Sequence, residues 1–216
     1  MALSLSPHVH ACFDNGVVVL LDLQANRYFA LPPGVLCAGG TPIGGLPAGK
    51  SKLSAAGVAL LRQRAAVVET ERSRADPNEA ASVRVGATLI ERPTVSRADL
   101  MTFMAACVLA DLAVRRGALH SVVSAIKRAK DNAAPKSAIE RASVFSRLRI
   151  WYPHARVCLF DSLALARFLA WGGSAFDLVF AVRSRPFAAH CWIESDGAAL
   201  NDFYDTHAAF TPILRV

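Results

Sequence analysis

The 216 residues are 53% hydrophobic, enough for a packed core, and the net charge of +7 is spread as scattered Arg without the dense Lys/Arg block of a nucleic-acid footprint, so the basic surface suits an acidic peptide or protein rather than nucleic acid. No stretch reaches the roughly 18 uninterrupted apolar residues of a membrane span, and the opening Met1–Pro7 has neither the basic segment nor the apolar core of a signal peptide. Five irregularly spaced cysteines, an odd number, argue for reduced thiols and a cytoplasmic setting over a disulfide framework.

His8–Phe13 is a short extended run closed by Asp14-Asn15-Gly16, a strong hairpin signal. Val17–Leu23 follows as a β-branched strand. Gln24-Ala25-Asn26 turns the chain, and Arg27–Leu31 is a third strand, stopped by Pro32-Pro33 because proline cannot donate to a ladder. Such a meander cannot bury its own face alone, and the helix predicted over Ser51–Glu69, with Leu53, Ala56, Leu60, Leu61 and Val67 in helical spacing, is its natural cover. Between them, Gly44–Ser51 matches the phosphate-loop pattern of Gly, any four residues, then Gly-Lys-Ser. A phosphate loop follows a buried parallel strand, however, and Val35–Ile43, with two Gly and a Pro, reads as loop, so no nucleotide site is expected in this chain.

The polar stretch Arg72–Val85 lacks apolar periodicity and reads as linker. Ser96 and Asp99 form a capping-box pattern ahead of a helix that ends at Arg115-Arg116-Gly117. Further helices are expected over Leu119–Lys130 and Ser137–Ile150. All three read as core scaffolding.

Cys158 then opens an apolar-periodic helix that stops at Gly172-Gly173. A thiol in the first turn of a helix sits at the positive end of the macrodipole, which favours the thiolate. Asp177–Arg183 and Ala188–Glu194 alternate as strands, the second placing His190, Trp192 and Glu194 on one face. Ser195-Asp196-Gly197 turns the chain, and Ala198–Tyr204 returns antiparallel. A two-residue Asp196-Gly197 turn would pair His190 with Phe203 and send Asp202 to the other face. A three-residue Ser195–Gly197 loop pairs His190 with Asp202, with Cβ atoms about 5 Å apart, and is the register predicted here.

Cys158, His190 and Asp202 in that order supply a nucleophile, a base and an orienting carboxylate. The alternative is a buried Cys, a satisfied core His and a turn Asp. A metal site built from His154, Cys158, His190 and Cys191 is disfavoured, because His190 and Cys191 are strand neighbours that point to opposite faces; no metal is assigned.

Arg156-Val157-Cys158-Leu159 with Ser162-Leu163-Ala164-Leu165, then Ala189-His190-Cys191-Trp192-Ile193-Glu194, then Leu200-Asn201-Asp202, resemble the transglutaminase-like cysteine protease of lasso-peptide biosynthesis, the B protein. The likeness covers roughly residues 95–216. Gly16–Leu23 followed by Arg27-Tyr28-Phe29-Ala30-Leu31-Pro32 resembles that family's recognition element, a winged-helix-like module similar to the peptide chaperone of pyrroloquinoline-quinone biosynthesis.

The resemblance implies an α+β chain: a small three-stranded, winged-helix-like leader-recognition module over residues 1–75, a linker over 76–94, and a transglutaminase-like, papain-related cysteine protease domain over 95–216. It implies a cytoplasmic thiol protease that binds the leader of a ribosomally synthesised precursor, through Arg27, Tyr28, Phe29 and Leu31 of an exposed edge strand, and cuts leader from core with Cys158, His190 and Asp202. The implied partners are the precursor peptide and an asparagine-synthetase-like cyclase, with ATP used by the cyclase and no cofactor in this chain. The alternatives are a non-catalytic leader-binding adaptor, and an acyltransferase or transglutaminase using the same three residues.

Overall fold

The computed structural model describes residues 2–32, 34–70, 93–130, 138–152, 157–202 and 208–216. The expected linker lies outside the described residues except for positions 93 and 94, as do His154 and Phe203. The described residues form five helices and eleven strands in two compact units. The first comprises Met1–Ala80, Ala181–Ala189 and Phe210–Arg215; the second comprises Ala81–Phe180, His190–Ala209 and Val216.

In the first unit the predicted meander is present as β2 (Val9–Asp14), β3 (Val17–Asp22) and β4 (Arg27–Ala30), in the order β2-β3-β4. The register pairs Asp14 with Val17, Leu20 with Phe29 and Leu21 with Tyr28. Asn15 and Gly16 take positive φ, 43° and 87°, the two-residue turn that Asn-Gly favours. β3 is apolar at five consecutive positions because both its faces are covered. Val18 and Leu20, with Val9, Ala11, Phe29 and Leu31, pack into a core with Leu53, Val58 and Leu61. On the opposite face β11 (Thr211–Arg215) runs against β2, and the Tyr28 ring meets Phe187 at 5.9 Å. Asp14 joins these segments: its carboxylate accepts from the Ser184 N–H at 2.7 Å and from the Thr211 hydroxyl at 2.6 Å.

Three expectations for this unit need correction. The helix predicted over Ser51–Glu69 is α1 (Ala55–Gln63), capped by Ser54, and the chain after it turns into β7 (Val67–Thr70). The loop predicted over Val35–Ile43 is β5 (Leu36–Gly44), and an unpredicted β1 (Ala2–Leu5) pairs parallel with it; with β6 (Lys52–Leu53) the sheet order is β6-β5-β1-β7. Residues 2–70 therefore hold one helix against two sheets, and the winged-helix-like expectation extends only to the meander and α1. The reason given against a phosphate loop changes too. A parallel strand does precede Gly44–Ser51, but the segment leads into β6 (Lys52–Leu53), where Lys52 pairs with Pro42 and Ser51 accepts from the Ile43 N–H at 2.7 Å. It is a hairpin connection, without the helix N-terminus that cradles phosphate.

The second unit is built around α5 (Cys158–Trp171), packed by α2 (Arg97–Arg115), α3 (Leu119–Lys130) and α4 (Ala138–Arg149). The predicted capping box of Ser96 and Asp99 is formed. α2 buries Ala106, Cys107, Ala110 and Ala113, small side chains that let it approach α5 closely. α5 buries eight of its fourteen residues, so it has no broad solvent face, as a central helix requires. Phe103 and Phe145 meet edge to face, and Phe145 packs tilted on Phe168, joining α2, α4 and α5. After α5 come β8 (Asp177–Ser184), β9 (Phe187–Ser195) and β10 (Ala198–Ala199), in a sheet of order β10-β9-β8-β11 of which Ala181–Ala189 and β11 are counted with the first unit.

Candidate active site

α5 begins at the cysteine: Val157 is its N-cap, in extended conformation, and Cys158 is its first helical residue. Val157 contributes no side-chain hydrogen bond, so the first amides of α5 receive no capping oxygen from it. Asp161, in the same turn, complements the helix dipole and is held by the buried Arg149, whose Nη1 also donates to the Tyr152 carbonyl at 2.9 Å.

His190 lies on β9. Its Nε2 meets Asp202 Oδ2 at 2.6 Å, which leaves Nδ1 for the sulfur of Cys158, to which the ring is hydrogen-bonded. The Trp192 ring lies 5.7 Å from the imidazole and is fixed in turn by donation from its Nε1 to Glu194 at 2.6 Å. Cys158, His190 and Asp202 are thus brought together.

The route by which Asp202 arrives differs from the predicted one. Ser195 pairs with Ala198 and Glu194 with Ala199, so the turn is the two-residue Asp196-Gly197, both at positive φ (51° and 75°). The three-residue loop is incorrect. β10 is only Ala198–Ala199 long, and the ladder ends with the Leu200 N–H donating to the Ile193 carbonyl at 2.8 Å. Asn201 then substitutes its side chain for backbone: Oδ1 accepts from the Ile193 N–H at 2.8 Å and Nδ2 donates to Ser162 Oγ at 2.9 Å. The main chain is released from the strand, and Asp202 reaches the imidazole free of the face that a continuous ladder would impose.

Among the described residues β10 does not reach the β9 edge at Cys191, and α5 packs there. Ser162, one helical turn after Cys158 and therefore on the same face, donates to the Cys191 carbonyl at 2.9 Å. The Cys158 sulfur accepts from both the thiol and the backbone N–H of Cys191. The expectation that one site could not use both His190 and Cys191 is therefore corrected. Their side chains do alternate, but a sulfur at the strand edge meets the ring of one and the main chain and thiol of the other. Sequence reasoning missed Cys191, Ser162 and Asn201. The signals available were the i, i+4 spacing of Cys158 and Ser162 and the Asn preceding Asp202.

These contacts set the charge state. The Cys191 thiol first, then the His190 ring, against the cost of burial, lower the Cys158 pKa to about 4. His190 is raised above its ordinary 6.5, by Cys158 first and by Asp202 against burial. The two shifts, the thiol down and the imidazole up, both favour a thiolate–imidazolium pair. Cys107 shows the contrast: burial in the α2 core pushes its thiol up to about 12, and it behaves as a small apolar residue. Among the described residues no group of three or more His, Cys, Asp and Glu side chains is arranged to hold a metal, and no helix is long and apolar enough to cross a membrane.

The four residues expected to bind a peptide are divided. Arg27, Tyr28 and Phe29 lie on β4, which has β3 on one side and no strand on the other among the described residues. Tyr28 and Phe29, with Val17, Val19, Ala30, Ser184 and Phe187, line a pocket of about 300 Å³. Leu31 is not part of that surface. It is 4% exposed in the core, its N–H bonded to the Val18 carbonyl, and it cannot touch a peptide laid on the edge.

Residues 104–215, more than half of the chain, match the profile of the Transglutaminase-like superfamily, and the chain belongs to that superfamily. No curated protein and no solved structure matches the chain. Superfamily members are typically cysteine-protease or acyltransferase-like enzymes, in keeping with a thiolate at a helix start facing a histidine.

Proposed function

We propose that the chain is the leader peptidase of a lasso-peptide system, binding the leader of a ribosomally made precursor and cutting it from the core before a partner cyclase closes the ring. The observation that carries the reading is the arrangement at the N-terminus of α5: the Cys158 sulfur hydrogen-bonded to a His190 ring that Asp202 holds at 2.6 Å. In the reaction, the thiolate attacks the scissile carbonyl. The first amides of α5, uncapped by Val157, receive the developing oxyanion. The His190 imidazolium gives its proton to the leaving amine, and the neutral ring then activates water against the thioester. Asp202 fixes the ring with Nδ1 toward sulfur and stabilises its charged form.

Recognition falls to residues 1–75 and hydrolysis to 95–216. The edge of β4 that has no strand beside it among the described residues accepts the leader as an added strand, and the pocket beside Tyr28 and Phe29 takes an apolar leader side chain. The asparagine-synthetase-like cyclase uses ATP to activate a side-chain carboxylate and joins it to the amine that this cut releases; the thiol chemistry needs no nucleotide.

One experiment separates this reading from its alternatives. The precursor encoded beside this chain is incubated with the protein and the cyclase, and products are weighed. Wild type should release leader and core. Cys158→Ala should abolish cleavage while leader binding, followed by fluorescence anisotropy, persists; cleavage that survives the substitution removes the peptidase assignment. Transfer of the acyl group to an added amine in preference to water would identify an acyltransferase instead.

A further inference from the structure

The thiol beside the nucleophile helps to ionise it but makes or breaks no bond in the mechanism above. Cys191 is 3% exposed and lies against the Cys158 sulfur, to which both its thiol and its backbone N–H are hydrogen-bonded. Its carbonyl is fixed by Ser162 from the same α5 face that carries Cys158, so helix and strand hold the two sulfurs in register. Cys158 itself is only half-buried and is open to small reagents. Of the remaining cysteines, Cys12 and Cys107 are buried and Cys37 is exposed on β5.

We infer that Cys158 and Cys191 form a reactive dithiol in which Cys191 is the resolving thiol, so that a hydroperoxide converts the site reversibly into a Cys158–Cys191 disulfide. The Cys158 thiolate attacks the peroxide O–O bond and becomes a sulfenic acid, while the alkoxide or hydroxide that leaves takes up the proton of the His190 imidazolium. The Cys191 sulfur then attacks the sulfenic sulfur, forming the S–S bond, and its proton departs with the hydroxyl as water. The peroxide is reduced and the two thiols are oxidised. A thiol reductant reverses the bond and restores the nucleophile. The first step also frees the second. The Cys158 thiolate, more than burial, keeps the Cys191 proton in place, and conversion of that thiolate to a neutral sulfenic acid removes this restraint. The disulfide would protect the nucleophile from irreversible oxidation to the sulfinic acid.

This inference concerns the same site as the proposed peptidase but is read without any precursor. The reduced full-length protein is titrated with hydrogen peroxide, remaining thiols are alkylated with iodoacetamide, and the digest is mapped by mass. The expected product is a linked pair of peptides carrying Cys158 and Cys191, lighter by two hydrogens and separated by dithiothreitol. In Cys191→Ala, peroxide should carry Cys158 to a sulfinic acid that dithiothreitol does not reverse. Cys158 appearing as sulfinic acid in the wild type while Cys191 stays alkylatable, Cys158 pairing with another cysteine, or Cys158 unreactive toward peroxide would each overturn the inference. Loss of the linked pair leaves the peptidase reading standing, and cleavage by Cys158→Ala would fell that reading while leaving the dithiol intact.

Discussion

At the scale of single residues, the acid–base poise of the site follows from who touches the sulfur. A pKa of about 4 keeps Cys158 ionised from mildly acidic pH upward, and His190, held above its ordinary 6.5, keeps the proton that the leaving amine needs. Cleavage should therefore follow a bell, its acid limb near 4 and its basic limb above 6.5; an acid limb in the ordinary thiol range would contradict the ion pair. Val157 gives a second test. A serine there would cap α5 and add about 0.5–2 kcal/mol of stability, but its hydroxyl would compete for amides assigned to the oxyanion. Val157→Ser should raise the melting temperature and lower kcat, and an unchanged kcat would show that those amides do not meet the substrate. The cysteine and the histidine were legible in the sequence because helix starts and strand faces are local properties. Cys191 was not, because alternation alone places it behind the histidine and only the β9 edge that β10 does not reach brings its main chain to the sulfur.

At the scale of elements, legibility tracked whether a stop signal was written in local chemistry. Gly117 and Gly173 close α2 and α5 at positive φ, 62° and 70°, and both ends were predicted. α1 closes the same way on Ala65, at φ 52°, with the Ala66 N–H returning to the Leu61 carbonyl at 2.9 Å. Alanine announces no stop, so the prediction ran on to Glu69. β5, Leu-Cys-Ala-Gly-Gly-Thr-Pro-Ile-Gly, is poor in strand formers, and its partners, distant β1 and the short β6, make it a strand against its propensity. The hairpin after β9 failed for a different reason. The predicted register assumed that paired backbone must deliver Asp202, whereas the Asn201 side chain ends the pairing. Asn201→Ala should leave the Ile193 N–H unpartnered, cost about 1–3 kcal/mol in urea denaturation, and lower kcat more than it raises KM, because Asp202 loses its anchor. A variant of wild-type stability and kcat would deny Asn201 that role.

At the scale of the whole molecule, the first unit is discontinuous in sequence, and Asp14 shows how its pieces are held. Burial raises its carboxyl, but hydrogen bonds from Ser184, Thr211 and Asn15 outweigh burial and hold it below the ordinary 3.8. A depressed carboxyl contributes stability that is present above its unfolded value and lost as pH falls through the folded one, so this contribution should fade below about pH 4. Asp14→Asn should be less stable by about 1–3 kcal/mol at neutral pH and should flatten the acid limb of a thermal-denaturation profile, and an unaltered acid limb would assign that limb to other groups. The same discontinuity bears on recombination. A chimera joined near residue 80, giving this chain another relative's amino-terminal portion, would set a foreign partner against Ser184 and Thr211 and a foreign ring against Phe187. Under the proposed reading, exchange of leader recognition between relatives must carry all three stretches of the first unit together, so specificity in such a chain is expected to drift by point substitution rather than by shuffling of whole modules.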